Sequence, residues 1–409
     1  MKRALLSQMA HEWKNNIWLI IELAIVTLAI WAIMTLLWVL CKGLTQPLGF
    51  NPTDVYTLDV KSVPESSPYF LADYKDKYFE DRNKLIERLR NNPHVEAVSL
   101  HNNFAPFEYN YSGNFFEVEG WIPESIGYTG NVRRAEPEIV RILDIKSTTG
   151  KSQDQLIGML QRGEVLISHN RGVEQKMGPI ENIIGKKIYP YQEEEKGKRI
   201  GDVVDRVRRS DYEYEDRGVL IVPIDPVTEW GDIILKLKSG QIQDFINDFN
   251  SDPSLSHLRN IYLSNLKSLE KKGEALNKEI EINIRLMVAI SFFLLVTIFL
   301  GLLGSFWFRV QQRVSEFAIR KTFGAKDSEL FRRILGEGLL LLVASLLLVS
   351  ACVWPFIKKL SDYTGEDWWV FIAFEGIVTG VMAIGIILSL SYPAWRAMKI
   401  EPAIAVKEE

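Results

Sequence analysis

The placement of the apolar runs constrains this chain more than any other feature. Residues 17–40 form a run of 24 with one acid, Glu22, and a helix of that length reaches roughly 36 Å, enough for a hydrocarbon core of about 30 Å. Three more such runs lie at 286–308, 334–356 and 368–390. Residues 41–285 are rich in charge and hold no apolar stretch of spanning length, so they form a domain in water. The pattern predicts an α-helical membrane protein with four transmembrane helices and a mixed α+β extracytoplasmic domain inserted between helices 1 and 2. Mean hydropathy near zero hides this, because the apolar residues are concentrated rather than spread.

The first run is too long for a secretory signal, and "LWVLCKG" at its end has no small-x-small cleavage pattern. Leu40 stands before Cys41 where a lipoprotein would need a small residue. An uncleaved anchor is expected.

Basic residues in short flanks set orientation, whereas long domains translocate regardless of charge. Lys2, Arg3 and Lys14 precede span one; Arg309, Arg313, Arg320, Lys321, Lys326, Arg332 and Arg333 lie between spans two and three; Arg396, Lys399 and Lys407 follow span four. The 357–367 loop sets only Lys358 and Lys359 against Asp362, Glu366 and Asp367. Both termini, the 1–16 segment, the 309–333 loop and the 391–409 tail are therefore expected in the cytoplasm. Trp18, Trp307 and Trp395 fall at inner span ends, and Trp38, Trp354, Trp368 and Trp369 at outer ones, where an indole keeps its ring in the acyl boundary and its N–H among headgroups. The two cysteines, Cys41 and Cys352, both lie near the outer surface. They give no disulfide framework and are read as unrelated thiols, with a Cys41–Cys352 bridge as the alternative.

Residues 41–285 carry 33 Lys and Arg against 39 Asp and Glu, which argues against nucleic acid as a partner. Alternation in "DVYTLDV" and "VEAVSL" predicts strands flanking a helix that strengthens toward Leu85, Ile86 and Leu89. "NFFEVEGW", "GEVLISHN", "GKKIYPY", "GDVVDRV", "RGVLIVPI" and "DIILKLK" read as further short strands, and "QIQDFINDFN" as a helix stopped at Ser251-Asp252-Pro253. The α+β domain is thus placed at 41–261. Over 262–285, Leu266, Leu269, Leu276 and Ile280 follow a three-and-four spacing with Gly273 in the missing slot. This is either a stalk helix running into span two or an amphipathic helix packed on its own domain, with Gly273 a hinge or a close-packing site.

Several chemistries have no support. "STTGKS" (147–152) ends like a phosphate loop, but Ile145 stands where the first glycine belongs. The histidines at 11, 94, 101, 169 and 257 show no metal-ligand spacing and read as turn or surface residues. No nucleophile constellation stands out, so the chain is not expected to be an enzyme by itself. Intramembrane acids are functional candidates by default. Here they are Glu22, Glu337 and Glu375, with Arg333 four residues before Glu337 and so on its helix face.

The stretch "RVSEFAIRKTFGAKDSELFRRILGEG" builds a short charged helix between two spans. Val310, Val314, Phe317 and Ala318 share one face; Glu316 precedes Arg320 by four, the favourable order for an ion pair. Gly324 fits a C-terminal cap and Asp327 the start of the next helix. Such a helix lies on lipid headgroups, or presents Val314 and Phe317 to a groove on a soluble partner.

"EFAIRKTFGA", with Glu316, Ile319, Arg320, Lys321, Gly324 and Ala325, followed by "ILGEGLLLLVASLL" with Glu337, resembles the signature of the MacB/FtsX-like ABC permeases. "YPAWRAMKIEPAIAVKEE" is similar to that family's C-terminal motif through Pro393, Ala394, Arg396, Ala397 and Pro402, with Val406 where leucine is commoner. "GEVLISHNRGVEQKMGPIENIIGKKIYP" looks like the middle of its periplasmic domain. The resemblance implies a mechanotransmission permease of the bacterial inner membrane that dimerises with itself or a related permease. It also implies an ATPase subunit on the cytoplasmic face that holds the ATP and Mg, so no cofactor sits in this chain. The segment 310–323 would be the coupling helix, the 262–285 stalk would carry motion outward, and a periplasmic adaptor and outer-membrane duct could be further partners. Because the chain begins at its first span, the ATPase is expected as a separate protein. Two other readings stay open: a regulatory scaffold controlling an envelope enzyme, and an ion-coupled carrier using Glu337.

Overall fold

The computed structural model describes residues 13–108, 113–119, 128–169, 178–179, 182–190, 197–212, 218–364 and 367–399. The 1–16 segment lies outside these residues except for 13–16, which open the first long helix, and Pro402 also lies outside them. The chain divides into two units, Met1–Cys41 with Ile282–Glu409, and Lys42–Glu281.

In the first unit, α1 (Trp13–Gly43) is the first of four helices long and apolar enough to cross a membrane. The second unit contains the expected strands, with β4 and the helices α3 and α4 added to them: β1 (Val55–Ser62), α2 (Tyr78–Arg90), β2 (Val95–Asn102), β3 (Gly113–Val118), β4 (Tyr128–Ala135), α3 (Ile139–Ile142), α4 (Gln153–Gln161), β5 (Val165–Ser168), β6 (Lys187–Pro190), β7 (Lys198–Val204), β8 (Gly218–Pro223) and β9 (Asp232–Leu237). It ends with α5 (Ile242–Ser251), α6 (Pro253–Ser256), β10 (His257–Leu258) and β11 (Ile261–Ser268). The remaining spans belong to α7 (Leu269–Gln312), α9 (Asp327–Thr364) and α10 (Trp368–Met398), with the short α8 (Val314–Thr322) between α7 and α9.

The strands form one mixed sheet in the order β10-β11-β1-β9-β2-β4-β3-β6-β7-β5-β8, and β8 also pairs in parallel with β4. That second pairing closes six strands into a ring around Val132, Ile167, Ile188, Leu220 and Val222. The other strands stay open, with α2 and α5 supplying Leu85, Leu89 and Phe245 to one face. The opposite face packs Ala97 and Ile234 with Phe107, Leu269 and Leu276.

The stalk helix does not start at 262. Residues Ile261–Ser268 pair antiparallel with β1, and Leu266 lies on this strand, half-buried against the α2 side. Asn265, in the left-handed region at φ 56°, carries an extra residue of β11 past Thr57 and Asp59, a bulge that lets a helix-like leucine spacing occur on a strand. From Leu269 onward the helical reading holds. Leu269 and Leu276 are buried and Ile280 is packed on the same core, so the opening turns of α7 lie on their own domain while the helix continues to Gln312. Gly273 is a close-packing site: a Cβ there would stand 2.9 Å from the Phe107 ring.

Candidate functional site

The charged segment is not one helix from 310 to 323. Val310 sits in the last turn of α7, buried. Arg313, at φ −110° and ψ 11°, then breaks the helix before Val314 opens α8. At the other end Phe323 closes α8, and Gly324 takes φ 89°. The Gly324 N–H donates to the Lys321 carbonyl at 2.9 Å and the Ala325 N–H to the Arg320 carbonyl at 3.1 Å. These bonds satisfy the last carbonyls of α8 in a Schellman turn, whose left-handed residue is cheapest as glycine. Asp327 opens α9, and its carboxylate pairs with Lys321 at 2.9 Å.

Arg313 is the hub of the segment. Its Nη1 donates to Glu337 of α9 at 2.5 Å and its Nε to Glu316 of α8 at 2.8 Å. Glu316 in turn accepts from Arg320 at 2.6 Å, the expected four-residue pair, and Arg333 reaches Glu337 at 3.4 Å. The Arg313 and Glu337 side chains are only 15% and 11% exposed. Burial alone would lower the Arg313 pKa, but the hydrogen bonds and charges of Glu316 and Glu337 outweigh it and hold the guanidinium's pKa above its usual value. Glu316 shows the mirror image: burial pulls its pKa up, Arg313 and Arg320 pull it down, and the arginines win. For Arg313 and Glu316 the partners thus outweigh burial, the condition for a half-buried ion network to persist.

The apolar face of α8 turns inward. Phe317 and Ala318 are buried, and Phe317 packs with Val310, Phe306 and Ile334 in the core of the membrane unit, with Val314 and Ala325 against its edge. The expectation that Val314 and Phe317 face a partner is therefore wrong: half the residues that gave α8 its amphipathic pattern satisfy its own protein. The apolar side chains left outside are Ile319, 49% exposed, and Phe323, 88% exposed. Phe323 falls in the turn, where helical periodicity gives no signal.

Glu337 sits next to Gly338, where a Cβ would lie 2.5 Å from Leu390 of α10. This glycine brings α9 and α10 together. On α10, Ala394 is fully buried, Arg396 covers the Trp307 ring at 5.4 Å, and Trp307 stacks on Tyr392 at 5.6 Å. Pro393 and Ala397 lie in the same helix. The three membrane acids do not gather. Glu22 accepts a hydrogen bond from Ser305 at 3.3 Å, Glu375 accepts one from Ser350, and Glu337 is engaged by arginines. No group of three or more potential metal ligands occurs among the described residues.

The phosphate-loop look-alike is structural. Ser147, Thr149 and Lys151 all bond the buried Asp202 carboxylate, at 2.6, 2.8 and 2.7 Å, and Ser152 caps α4 in a capping box with Gln155. His101, expected in a turn or at the surface, is buried in β2. Cys41 and Cys352 are free thiols, as expected.

Residues 288–402 match the family model of the FtsX-like permease C-terminal domain. That segment, 115 of the 409 residues, is similar to an FtsX-like permease C-terminal domain. The match contains α8 and both partners of Arg313. No curated protein matches the chain. Among solved structures, the periplasmic region of MacB from Actinobacillus actinomycetemcomitans aligns at TM-score 0.33 and 13% identity, covering 59% of this chain and 98% of that one. A domain of a permease protein from Porphyromonas gingivalis aligns at 0.31 and 15%, covering 54% and 92%. The extracellular domain of the noncanonic ABC-type transporter YknZ from Gram-positive bacteria aligns at 0.31 and 12%, covering 51% and 100%.

Proposed function

We propose that this FtsX-like chain is the permease subunit of an ABC transporter in a bacterial inner membrane, with both termini cytoplasmic and a second permease protomer beside it. A separate ATPase subunit, holding ATP and Mg, docks on α8 and the turn after it. ATP hydrolysis there is converted into movement of the domain between spans one and two, for export or for handling substrates of the envelope.

The observation that carries this reading is the pairing of two properties in one short helix. Arg313 fastens α8 to α9 through Glu337, so a push on α8 is delivered to a spanning helix rather than absorbed by a loop. At the same time Ile319 and Phe323 are left uncovered, and Lys326 and Arg332, further along the same segment, are exposed too. An aromatic anchor with a basic rim is what a helix-in-groove contact uses.

The test is purification of the native complex in mild detergent, with mass spectrometry of everything bound. An ABC ATPase is expected with the unaltered chain. It should be lost with Phe323→Asp, while the permease keeps its yield and its melting transition. Retained ATPase and unchanged ATP hydrolysis in Phe323→Asp overturn the docking surface. An envelope enzyme in the eluate, with no adaptor, would favour the regulatory scaffold.

A further inference from the structure

The Lys42–Glu281 unit contains a cleft of about 530 Å³, well above what a few waters fill and within the size range of ligand sites. Its walls come from β1, β9, β11, the segment after β2, and the opening turns of α7. Its floor is the sheet face that carries Ala97 and Ile234. Strand alternation should make that face apolar throughout, yet at this end it turns polar.

The register shows how. His101 of β2 stands directly opposite Asp232 of β9, and carrying the β1–β9 register one step past Leu58 and Ile233 sets Asp59 beside Asp232. Residues facing each other across antiparallel strands share a side of the sheet, with Cβ atoms about 4.5–5.5 Å apart. Asp59, Asp232 and His101 therefore form one row. One pair further along, Thr57 stands between Ile234 of β9 and Lys267 of β11.

Two of these groups are buried without a hydrogen-bond partner among the described residues. His101 is 2% exposed with both ring nitrogens unengaged, and Thr57 is 2% exposed with its hydroxyl unengaged. Such groups are costly to bury and few in native proteins. The charges are uneven too. Lys272 pairs with Glu108 at 2.7 Å and Lys61 lies 3.7 Å from Asp59. Among the described residues Asp232 accepts only the Val60 N–H, at 2.8 Å. Neither Asp232 nor Lys267 has an ion-pair partner among the described residues. The cleft thus offers an acceptor end, Asp232, with the buried His101 behind it in the same row, and a cationic end, Lys267.

We propose that this cleft binds a small zwitterion of about dipeptide size, its primary ammonium at Asp232 and its anionic end at Lys267. The size follows from the sheet. Two strand spacings of about 4.8 Å and two residues of rise put the Asp232 and Lys267 Cα atoms roughly 12 Å apart. The flexible lysine stem closes part of that distance, and an extended dipeptide of roughly 7 Å closes the rest. The shared chemistry, an ammonium joined to a carboxylate or phosphate, fits a short peptide or a phosphoethanolamine headgroup. Lys272, Ala275, Leu276 and Glu279 of α7 line the same cleft, so the ligand would touch the helix that runs on into the second span. The proposal does not depend on the docking of an ATPase.

The test is calorimetric titration of the full chain in detergent micelles with L-alanyl-L-alanine, its N-acetyl form, its C-amide and phosphoethanolamine. One saturable site is expected for dialanine, phosphoethanolamine or both, and whichever binds identifies the source. Acetylation or amidation should weaken dialanine at least tenfold. Asp232→Asn and Lys267→Ala should each weaken the bound probe by a similar factor. Lys267 is exposed on a strand, so its variant keeps the test meaningful if Asp232→Asn folds poorly. No saturable binding of either probe, or equal binding of the free and acetylated peptide, would overturn the proposal.

Discussion

Replacing Glu337 by Gln removes one charge from the Arg313 network while leaving its shape. Removing one member of a buried ion pair costs about 3–5 kcal/mol when the survivor is left alone. Arg313 is not left alone, because Glu316 still accepts from its Nε at 2.8 Å, and the glutamine keeps one oxygen toward Nη1. The loss is then one charged hydrogen bond and the weaker contact from Arg333 at 3.4 Å, about 2 kcal/mol on the usual scale of about 1.5–3 for a bond to a charged group. The assay is reversible unfolding of the detergent-solubilised chain by SDS, run beside a cycle of Arg313→Met, Glu337→Leu and the Arg313→Met/Glu337→Leu double variant. An apolar pair of similar volume recovers much of the stability, so the double variant should cost at least about 1 kcal/mol less than the sum of the singles. If the singles add to within about 0.5 kcal/mol, the two residues act independently. Arg313 then does not fasten α8 to α9.

Gly338→Ala should destabilise the same unfolding transition by about 1–3 kcal/mol, the usual cost of overpacking, because its methyl meets Leu390 at 2.5 Å and Ile386 at 3.0 Å. Gly324→Ala should cost about 1 kcal/mol at φ 89°, with no crowding term since a Cβ there meets nothing within 4 Å. His101 should give the chain a pH slope. Burial outweighs the neighbouring Asp232 and lowers its pKa from 6.5 to about 4, so the folded chain holds it neutral where the unfolded chain begins to bind a proton. Its contribution is full above pH 6.5 and is lost as pH falls toward about 4, on the order of 3 kcal/mol in all. Chemical denaturation of His101→Phe at pH 7 and pH 4.5 should show that part of the slope gone; an unchanged slope would refute the assignment.

How far the sequence could be read followed the range of the interaction. The four spans were legible because a bilayer demands about 20 apolar residues in one run, and nothing distant can change that. Most strands were legible by alternation. The strand β4, "YTGNVRRA", was missed because glycine and arginines interrupt its alternation and its support comes from partners on both sides. The helix α4 was missed although Ser152 and Gln155 spell its capping box, because its nine residues are too few for a clear helical period. Leu266 was misplaced because a bulge allows a strand to borrow helical spacing.

The coupling segment shows the sharper limit. Amphipathicity reports that one face of a helix is buried, and it does not report by what. In α8 the apolar stripe of Val314, Phe317 and Ala318 could serve a partner or the chain itself, and the deciding residue is Glu337, 24 positions beyond Arg313. Only the hairpin made at Gly324 brings those two charges together, and once they meet, Phe317 is carried into the core. The outward anchors are then the residues that the pattern leaves over, Ile319 and above all Phe323. An uncovered phenylalanine in a turn whose backbone is fully capped has no folding task that the structure reveals. The same logic applies to the floor of the cleft, where His101 and Asp232 are far apart in sequence and meet by strand register alone. In both places the functional candidate is the group that folding does not use, and it can be recognised only after the groups that folding does use have been accounted for.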